Sequence, residues 1–181
     1  MDYFEINGLK KLNGLVEVSG AKNAVLPLMA AAILNRGNIK ISNVPTLSDS
    51  ITMSKLLEEM GAKVQFSSDN SISVDSSNLN KPFAPYDLVK TMRASILVLG
   101  PLVSKFQKST TSYPGGCNIG SRPVNYHLSA LKKLGMKYEI KQGYIHAKSN
   151  GRLNGAKINF PRIARSKLRF VLGQHQQLLR H

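Results

Sequence analysis

The sequence predicts an α/β fold in which one structural unit occurs twice. Segments typical of strands and helices alternate along the chain, and the same order recurs 74 residues later, as from Leu57 to Leu131. Of the 181 residues, 42% are hydrophobic, which suffices for one domain with a core. The identities at this spacing pair Pro27 and Leu28 with Pro101 and Leu102, and Leu57, Gly61 and Lys63 with Leu131, Gly135 and Lys137.

The chain begins with two predicted strands, at residues 4–6 and 15–18, where hydrophobic residues cluster in short runs. The pair Ser19-Gly20 favours a turn, which leads into a predicted helix over residues 23–34. A strand is expected next at residues 38–41. The first unit therefore starts as helix and strand.

The first unit continues with a helix and a hairpin. Either residue of the pair Ser48-Asp49 can cap the helix, and Gly61 ends it. Residues 63–66 and 71–74 are the predicted hairpin strands, with Asp69-Asn70 in the turn. The apolar stripe of the helix comprises Ile51, Leu56, Leu57 and Met60.

The second half of the chain is predicted to repeat this order, again with a glycine after the second helix. The predicted elements are a helix over 88–102, a strand over 108–110, a helix over 124–134 ended by Gly135, and a hairpin of 137–140 and 144–147 around Gln142-Gly143.

Charge divides the chain into two unlike parts. Residues 1–87 carry eight basic and nine acidic side chains, whereas residues 88–181 carry seventeen basic ones and Glu139 as the single acid. So basic a segment indicates an anionic ligand, an acidic partner or a solvated basic surface. Nucleic acid is the less favoured partner, because the sequence has no ribonucleoprotein, zinc-finger or basic-zipper pattern.

The lone cysteine, Cys117, lies in the run 114–123, which contains three glycines and Arg122. Glycines let the backbone close on a ligand, and a nearby positive charge favours the reactive thiolate. We interpret the run as a reactive loop; the alternative is a small buried hydrophobic residue. One cysteine excludes an intrachain disulfide and fits the reducing cytoplasm, where we expect the protein.

Other functional classes lack support in the sequence. The apolar run 24–34 is too short to span a bilayer, so no membrane segment is expected. Neither a Walker loop nor a dinucleotide-binding motif is present. The four histidines, at positions 127, 146, 175 and 181, show no metal-ligand spacing. We therefore expect no metal and no cofactor.

Three motifs in order indicate a family. They are Gly20-Ala21-Lys22-Asn23-Ala24, Thr91-Met92-Arg93-Ala94-Ser95 and the cysteine run 114–123. Over residues 1–163 the chain resembles the UDP-N-acetylglucosamine 1-carboxyvinyltransferases, which are enolpyruvyl transferases. The sister family that acts on shikimate 3-phosphate shares the repeat but lacks the cysteine loop, so it is set aside.

The resemblance implies an inside-out α/β barrel of βαβαββ units, with about two of the three units of one domain present. Residues 1–21 would be strands that pack in a C-terminal domain absent from this sequence. Residues 22–163 would be an incomplete catalytic domain, with repeats over about 22–88 and 89–163. Residues 164–181 form a basic tail unlike the family, which suggests a frameshifted or truncated reading frame.

The resemblance also implies an activity. The family transfers enolpyruvyl from phosphoenolpyruvate to the 3′-hydroxyl of UDP-N-acetylglucosamine and releases phosphate, without a cofactor. This is the first committed step of peptidoglycan synthesis, on which cell shape and division depend. Fosfomycin inhibits the family by alkylating the loop cysteine.

Residue roles follow from the same resemblance. Cys117 would protonate the methylene carbon of phosphoenolpyruvate, and Lys22 would take part in catalysis. The family usually has Asp-Leu where this chain has Asn125-Tyr126, so the contact with uracil departs from the pattern. Phosphoenolpyruvate would contact Lys22, Asn23 and Arg122, and UDP-N-acetylglucosamine would contact Arg93, Arg122, Pro123, Val124, Asn125 and Tyr126.

The residues by themselves leave several alternatives open. Lys22 could be a surface lysine, Asn23 a helix cap, and Arg93 an arginine of an amphipathic helix. The chain could be an inactive fragment, or half of a split enzyme whose C-terminal half is encoded separately. A basic nucleic-acid-binding protein is the third hypothesis, and it rests on charge alone.

Overall fold

The computed structural model describes residues 3–5, 8, 13–114 and 124–159. In this part of the chain the helices are α1 Lys22–Ala31, α2 Ser48–Glu59, α3 Tyr86–Val89, α4 Leu99–Phe106 and α5 Asn125–Lys133. The strands are β1 Asn38–Ile41, β2 Lys63–Ser67, β3 Ser71–Asp75, β4 Phe83–Ala84, β5 Lys108–Ser112, β6 Lys137–Lys141 and β7 Tyr144–Lys148. Short 3-10 helices cover Ala32–Leu34 and Arg93–Val98.

The sheets confirm the predicted α/β class and the predicted repeat. The first sheet has the order β1-β3-β2, and the second has the order β4-β5-β7-β6. In the first sheet, β3 lies between its hairpin partner β2 and β1, the strand before α2. In the second sheet, β7 likewise lies between its hairpin partner β6 and β5, the strand before α5. All these pairs are antiparallel, whereas β4 joins β5 in parallel.

The end of the second helix is built alike in both units. Gly61 and Gly135 adopt φ of 100° and 103°, a backbone region that L side chains rarely enter. Asn80 N donates to Met60 O at 3.1 Å, and 74 residues later Asn154 N donates to Leu134 O at 2.8 Å. The asparagine pair extends the repeat beyond the identities found from the sequence.

Helix α4 joins the two hydrophobic clusters. Leu102 packs in the first cluster, which lies between α1, α2 and the first sheet. Leu99 and Val103 pack in the second cluster, with residues of α5 and the second sheet. Because one helix contributes to both clusters, the two units are connected through packing as well as through the chain.

The strand predicted at residues 15–18 is wrong, and residues 4 and 5 also lie in no strand. Leu15, Val16 and Val18 are each more than 80% exposed. A strand needs a partner for its backbone N–H and C=O groups. Among the described residues, no strand pairs with this segment.

The single helix predicted over 88–102 is also wrong, because the chain there forms α3, a 3-10 helix and α4. Met92 breaks the helix by adopting extended backbone, at φ −138° and ψ 106°. Thr91 Oγ1 donates to Leu88 O at 2.9 Å, and Ser95 Oγ donates to Met92 O. Such hydroxyl bonds to the backbone compete with helical hydrogen bonds. The break buries Met92 in the first cluster.

Two details of α2 differ from expectation. Leu47 occupies the N-cap position and no side chain caps the helix, so the cap predicted from Ser48-Asp49 is wrong. Ile51 is 42% exposed, and Met53 is fully buried in its place. The rest of the predicted stripe, Leu56, Leu57 and Met60, is buried as expected.

Candidate active site

The first motif lies at the start of α1. Lys22 is the first residue of this helix, and Ala21 occupies the N-cap position in extended conformation. No side chain caps the helix, which excludes the alternative that Asn23 is its cap. Lys22 and Asn23 are both exposed. The Lys22 ammonium and the Asn23 amide are therefore available to a ligand at a helix N-terminus, where anions are favoured.

Lys22 forms an ion pair with Asp49 in the first turn of α2. The Lys22 Nζ to Asp49 Oδ2 distance is 3.0 Å, and the two side chains are 46% and 30% exposed. The pair connects the starts of two helices that pack against each other. Sequence reasoning missed this role of Asp49 and considered it only as a cap, because its partner lies 27 positions earlier in the chain.

Gly20 determines how the chain enters α1. Its N–H donates to Asn43 Oδ1 at 2.9 Å. A Cβ at this position would lie 1.7 Å from the carbonyl oxygen of Asn43, so a side chain requires the backbone to move. The close approach explains a glycine two residues before Lys22.

Replacing Gly20 by alanine should displace the segment that leads into α1 and weaken the Lys22–Asp49 pair. We expect a loss of about 1–3 kcal/mol in the free energy of unfolding, as for other overpacked sites. Urea unfolding measures this, with Gly14→Ala as the control, since a Cβ at Gly14 meets nothing within 4 Å. Equal stability of the two variants would contradict the close contact.

The second motif lies beside the first. Arg93 is the first residue of the 3-10 helix 93–98 and is half-buried. This 3-10 helix packs against α1, and both contribute to the first hydrophobic cluster. The structure thus brings together the elements that carry Lys22 and Arg93. Arg93 follows the break at Met92 and begins a short 3-10 helix. It therefore does not lie within the long amphipathic helix that the alternative interpretation assumes.

The third group of predicted residues lies at the start of α5. Val124 is 2% exposed and packs in the second cluster, so its side chain serves the core. Asn125 is exposed and Tyr126 is half-buried, both in the first turn of α5. The predicted site residues Cys117, Arg122 and Pro123 lie outside the described residues.

The described residues offer neither a metal-binding cluster nor a membrane-spanning helix. Within residues 3–5, 8, 13–114 and 124–159, no three His, Cys, Asp or Glu residues gather as they would around a metal ion. Over the same ranges, no helix combines the length and the apolar character needed to cross a bilayer.

Comparison with known families decides the relationship of this chain. A family model described as EPSP synthase (3-phosphoshikimate 1-carboxyvinyltransferase) matches residues 6–164. The chain belongs to this family of enolpyruvyl transferases. The enolpyruvyl transferase relationship inferred from the three motifs is thereby confirmed, and its narrower form is supported by the relatives described next.

Individual relatives of this enolpyruvyl transferase chain carry a more specific name. It is 51% identical over 163 residues to the UDP-N-acetylglucosamine 1-carboxyvinyltransferase of Campylobacter hominis, and 52% identical over 160 residues to that of Acinetobacter baylyi. These alignments cover 90% and 88% of the chain, and 38% of each relative. The chain therefore spans about 38% of the length of the curated relatives it matches.

Solved structures confirm the enolpyruvyl transferase fold. The enolpyruvyl transferase NikO from Streptomyces tendae superposes with a TM-score of 0.71 at 22% identity, covering 93% of this chain and 38% of that one. The EPSP synthase from Acinetobacter baumannii superposes with a TM-score of 0.63 at 13% identity, covering 88% and 37%. Similarity this low in identity concerns the fold alone.

Proposed function

We propose that the chain contributes one side of an active site that transfers enolpyruvyl from phosphoenolpyruvate to the 3′-hydroxyl of UDP-N-acetylglucosamine, releasing phosphate. The observation that carries the proposal is the identity of about 50% to enzymes of that name over about 90% of the chain. Because the chain spans about 38% of these relatives, the activity is proposed for a protein that also contains their remaining part.

Charge at the start of α1 suits the first substrate. Phosphoenolpyruvate carries a phosphate and a carboxylate, and preorganised cations stabilise such groups best in a site without water. Lys22 lies at the positive end of α1 and its ammonium is held by Asp49. We assign Lys22, Asn23 and Arg122 to phosphoenolpyruvate.

The remaining roles follow the family resemblance. Cys117 donates a proton to the methylene carbon of phosphoenolpyruvate, which makes the adjacent carbon electrophilic toward the sugar hydroxyl. Arg93, with residues 122–126, binds UDP-N-acetylglucosamine, and Val124 contributes through its backbone because its side chain is buried. Asn125 keeps a carbonyl acceptor for uracil but lacks the charge of aspartate.

The cellular setting follows from this reaction. We place the protein in the cytoplasm, at the first committed step of peptidoglycan synthesis, and so upstream of cell shape and cell division. Fosfomycin should then alkylate Cys117. The segment 1–21, whose described residues other than Gly20 are exposed, would pack against the part of the relatives that this chain does not match.

Reconstitution tests the proposal. The chain is co-expressed with the part of the Campylobacter hominis relative that it does not match, and phosphate release is measured with both substrates. We expect no turnover by the chain alone, because half a cleft cannot exclude water or complete the charge clamp. Turnover should appear with the added part, and Cys117→Ala is the matched inactive control. A co-purifying complex that releases no phosphate, or that uses shikimate 3-phosphate instead, would contradict the proposal.

The second candidate is a chain that binds substrate without turnover. Calorimetric titration of UDP-N-acetylglucosamine into the chain alone distinguishes this candidate. If the chain binds UDP-N-acetylglucosamine but does not associate with the added part, this candidate is favoured over the enzyme.

A further inference from the structure

Three lysines form a straight row across the second sheet. Lys148 on β7 is directly paired with Lys108 on β5 and with Lys137 on β6. Side chains at directly paired positions lie on the same face of a sheet. The alternating neighbours Ser109 and Ala147 are buried on the helix-covered face, whereas all three lysines are exposed on the other face.

Such a row is unfavourable for the fold itself, because like charges directly opposite each other repel. The first unit shows what the same fold carries at the corresponding position. There the central strand has Asp75, paired with Asn38 on one side and Lys63 on the other. An acidic residue between a neutral and a basic one is compatible with the same strand order. The three lysines are therefore not a requirement of the unit's architecture.

The lysine row lines an open groove of about 810 Å³. Phe83 and Tyr144 stack on this side of the sheet, with ring centroids 5.9 Å apart. Thr110 Oγ1 lies 3.3 Å from His146 Nδ1 in the row next to the lysines, and Glu139 is the acidic residue of that row. The groove thus joins a line of cations to hydrogen-bonding groups, and its volume lies within the range of small-molecule sites.

We propose that this groove binds a free oligophosphate chain, with one lysine on each of three adjacent strands. Neighbouring strands lie about 4.8 Å apart, so the row spans roughly 10 Å, and flexible lysine stems can bring the ammonium groups onto one phosphate chain. Lysine is a strong point-charge ligand for phosphate. A polyanion removes the repulsion within the row. The site lies on the exposed sheet face, away from the helices that carry Lys22 and Arg93, and does not depend on the proposed transferase activity.

Calorimetric titration of inorganic tripolyphosphate into the full chain tests the site at constant ionic strength. We expect one binding event per chain, weakened about tenfold or more by Lys148→Gln. Lys141→Gln is the matched control, because Lys141 lies on the same strand and face as Lys137 but four residues along. It should change the affinity less than twofold. Equal weakening by both variants would show that net charge alone attracts the anion, and would overturn the proposal.

A second variant separates binding from folding. Lys148→Asp reproduces the central acid of the first unit, so it should abolish binding while leaving the melting temperature unchanged or higher. Retained binding in this variant would overturn the proposal. ATP distinguishes the two sources of the phosphate chain: affinity equal to that of tripolyphosphate indicates the free chain, and tighter binding indicates a nucleotide. Preference for a single-stranded oligothymidylate over both would replace the proposal by nucleic-acid binding.

Discussion

Replacing Lys105 by methionine should lower the free energy of unfolding by about 2–4 kcal/mol, because a charged group's hydrogen bonds to the backbone are lost. Lys105 Nζ donates to Ile33 O at 2.8 Å, Asn35 O at 2.9 Å and Ser76 O at 3.2 Å. These bonds use all three donors of the ammonium group. They connect α4 of the second unit to the 3-10 helix that follows α1 and to the residue after β3 in the first. Burial lowers the pKa of Lys105, and repulsion by Arg36 contributes less.

Urea unfolding of the full chain measures this effect. Lys55→Met is the control, because Lys55 is an exposed lysine of α2 and its loss removes a charge without these bonds. Lys105→Arg should be intermediate, since it keeps the charge but not the compact ammonium group. If Lys105→Met and Lys55→Met unfold at the same urea concentration, the proposed connection between the units is wrong.

In the reconstituted enzyme, Lys22→Met should lower kcat/KM by roughly 100- to 1000-fold, the range for removal of one preorganised electrostatic contact. The expectation rests on the proposed function. Lys22 begins α1 and pairs with Asp49 at 3.0 Å, so its ammonium is held in place before a substrate arrives. Asp49→Asn should have a smaller effect, about fivefold or less, because the lysine remains and a partly exposed ion pair contributes at most about 1 kcal/mol.

Steady-state phosphate release with both substrates measures these changes. Lys55→Met again serves as the control, because it removes a lysine from α2, the helix that also carries Asp49. A Lys22→Met enzyme with the kcat/KM of the Lys55→Met enzyme would show that Lys22 is a surface lysine. Circular dichroism melts of each variant separate loss of catalysis from loss of folding.

Local signals predicted much of the fold. Gly61 and Gly135 end their helices at positive φ, as their positions after an apolar stripe indicate. The turn at Asp69-Asn70 is also as predicted, and bonds from Ser71, two residues along, to Asp69 explain it. Asp69 accepts bonds from Lys40 Nζ and from the hydroxyl and N–H of Ser71, which lower its pKa to about 2. The bonds from Ser71 belong to a local pattern that the sequence shows, whereas the bond from Lys40 comes from 29 residues away.

The errors occurred where distant contacts decide the conformation. Residues 15–18 have the composition of a strand, yet a strand also requires a partner. The break at Met92 follows from burial in a cluster that mostly belongs to the first unit. Ile51 lies on the stripe by spacing, but the neighbours of α2 cover Met53 instead. None of these contacts can be derived from helical or strand periodicity.

By itself, the sequence of this protein determined the α/β class, the two-unit repeat and the motifs of the enolpyruvyl transferase family. These depend on the identity of residues and on their spacing along the chain. Only the tertiary structure decided that Asp49 holds Lys22, that Lys105 connects the two units, and that Lys108, Lys148 and Lys137 form one row. Those arrangements arise from helix packing and strand register, which bring together residues far apart in the chain.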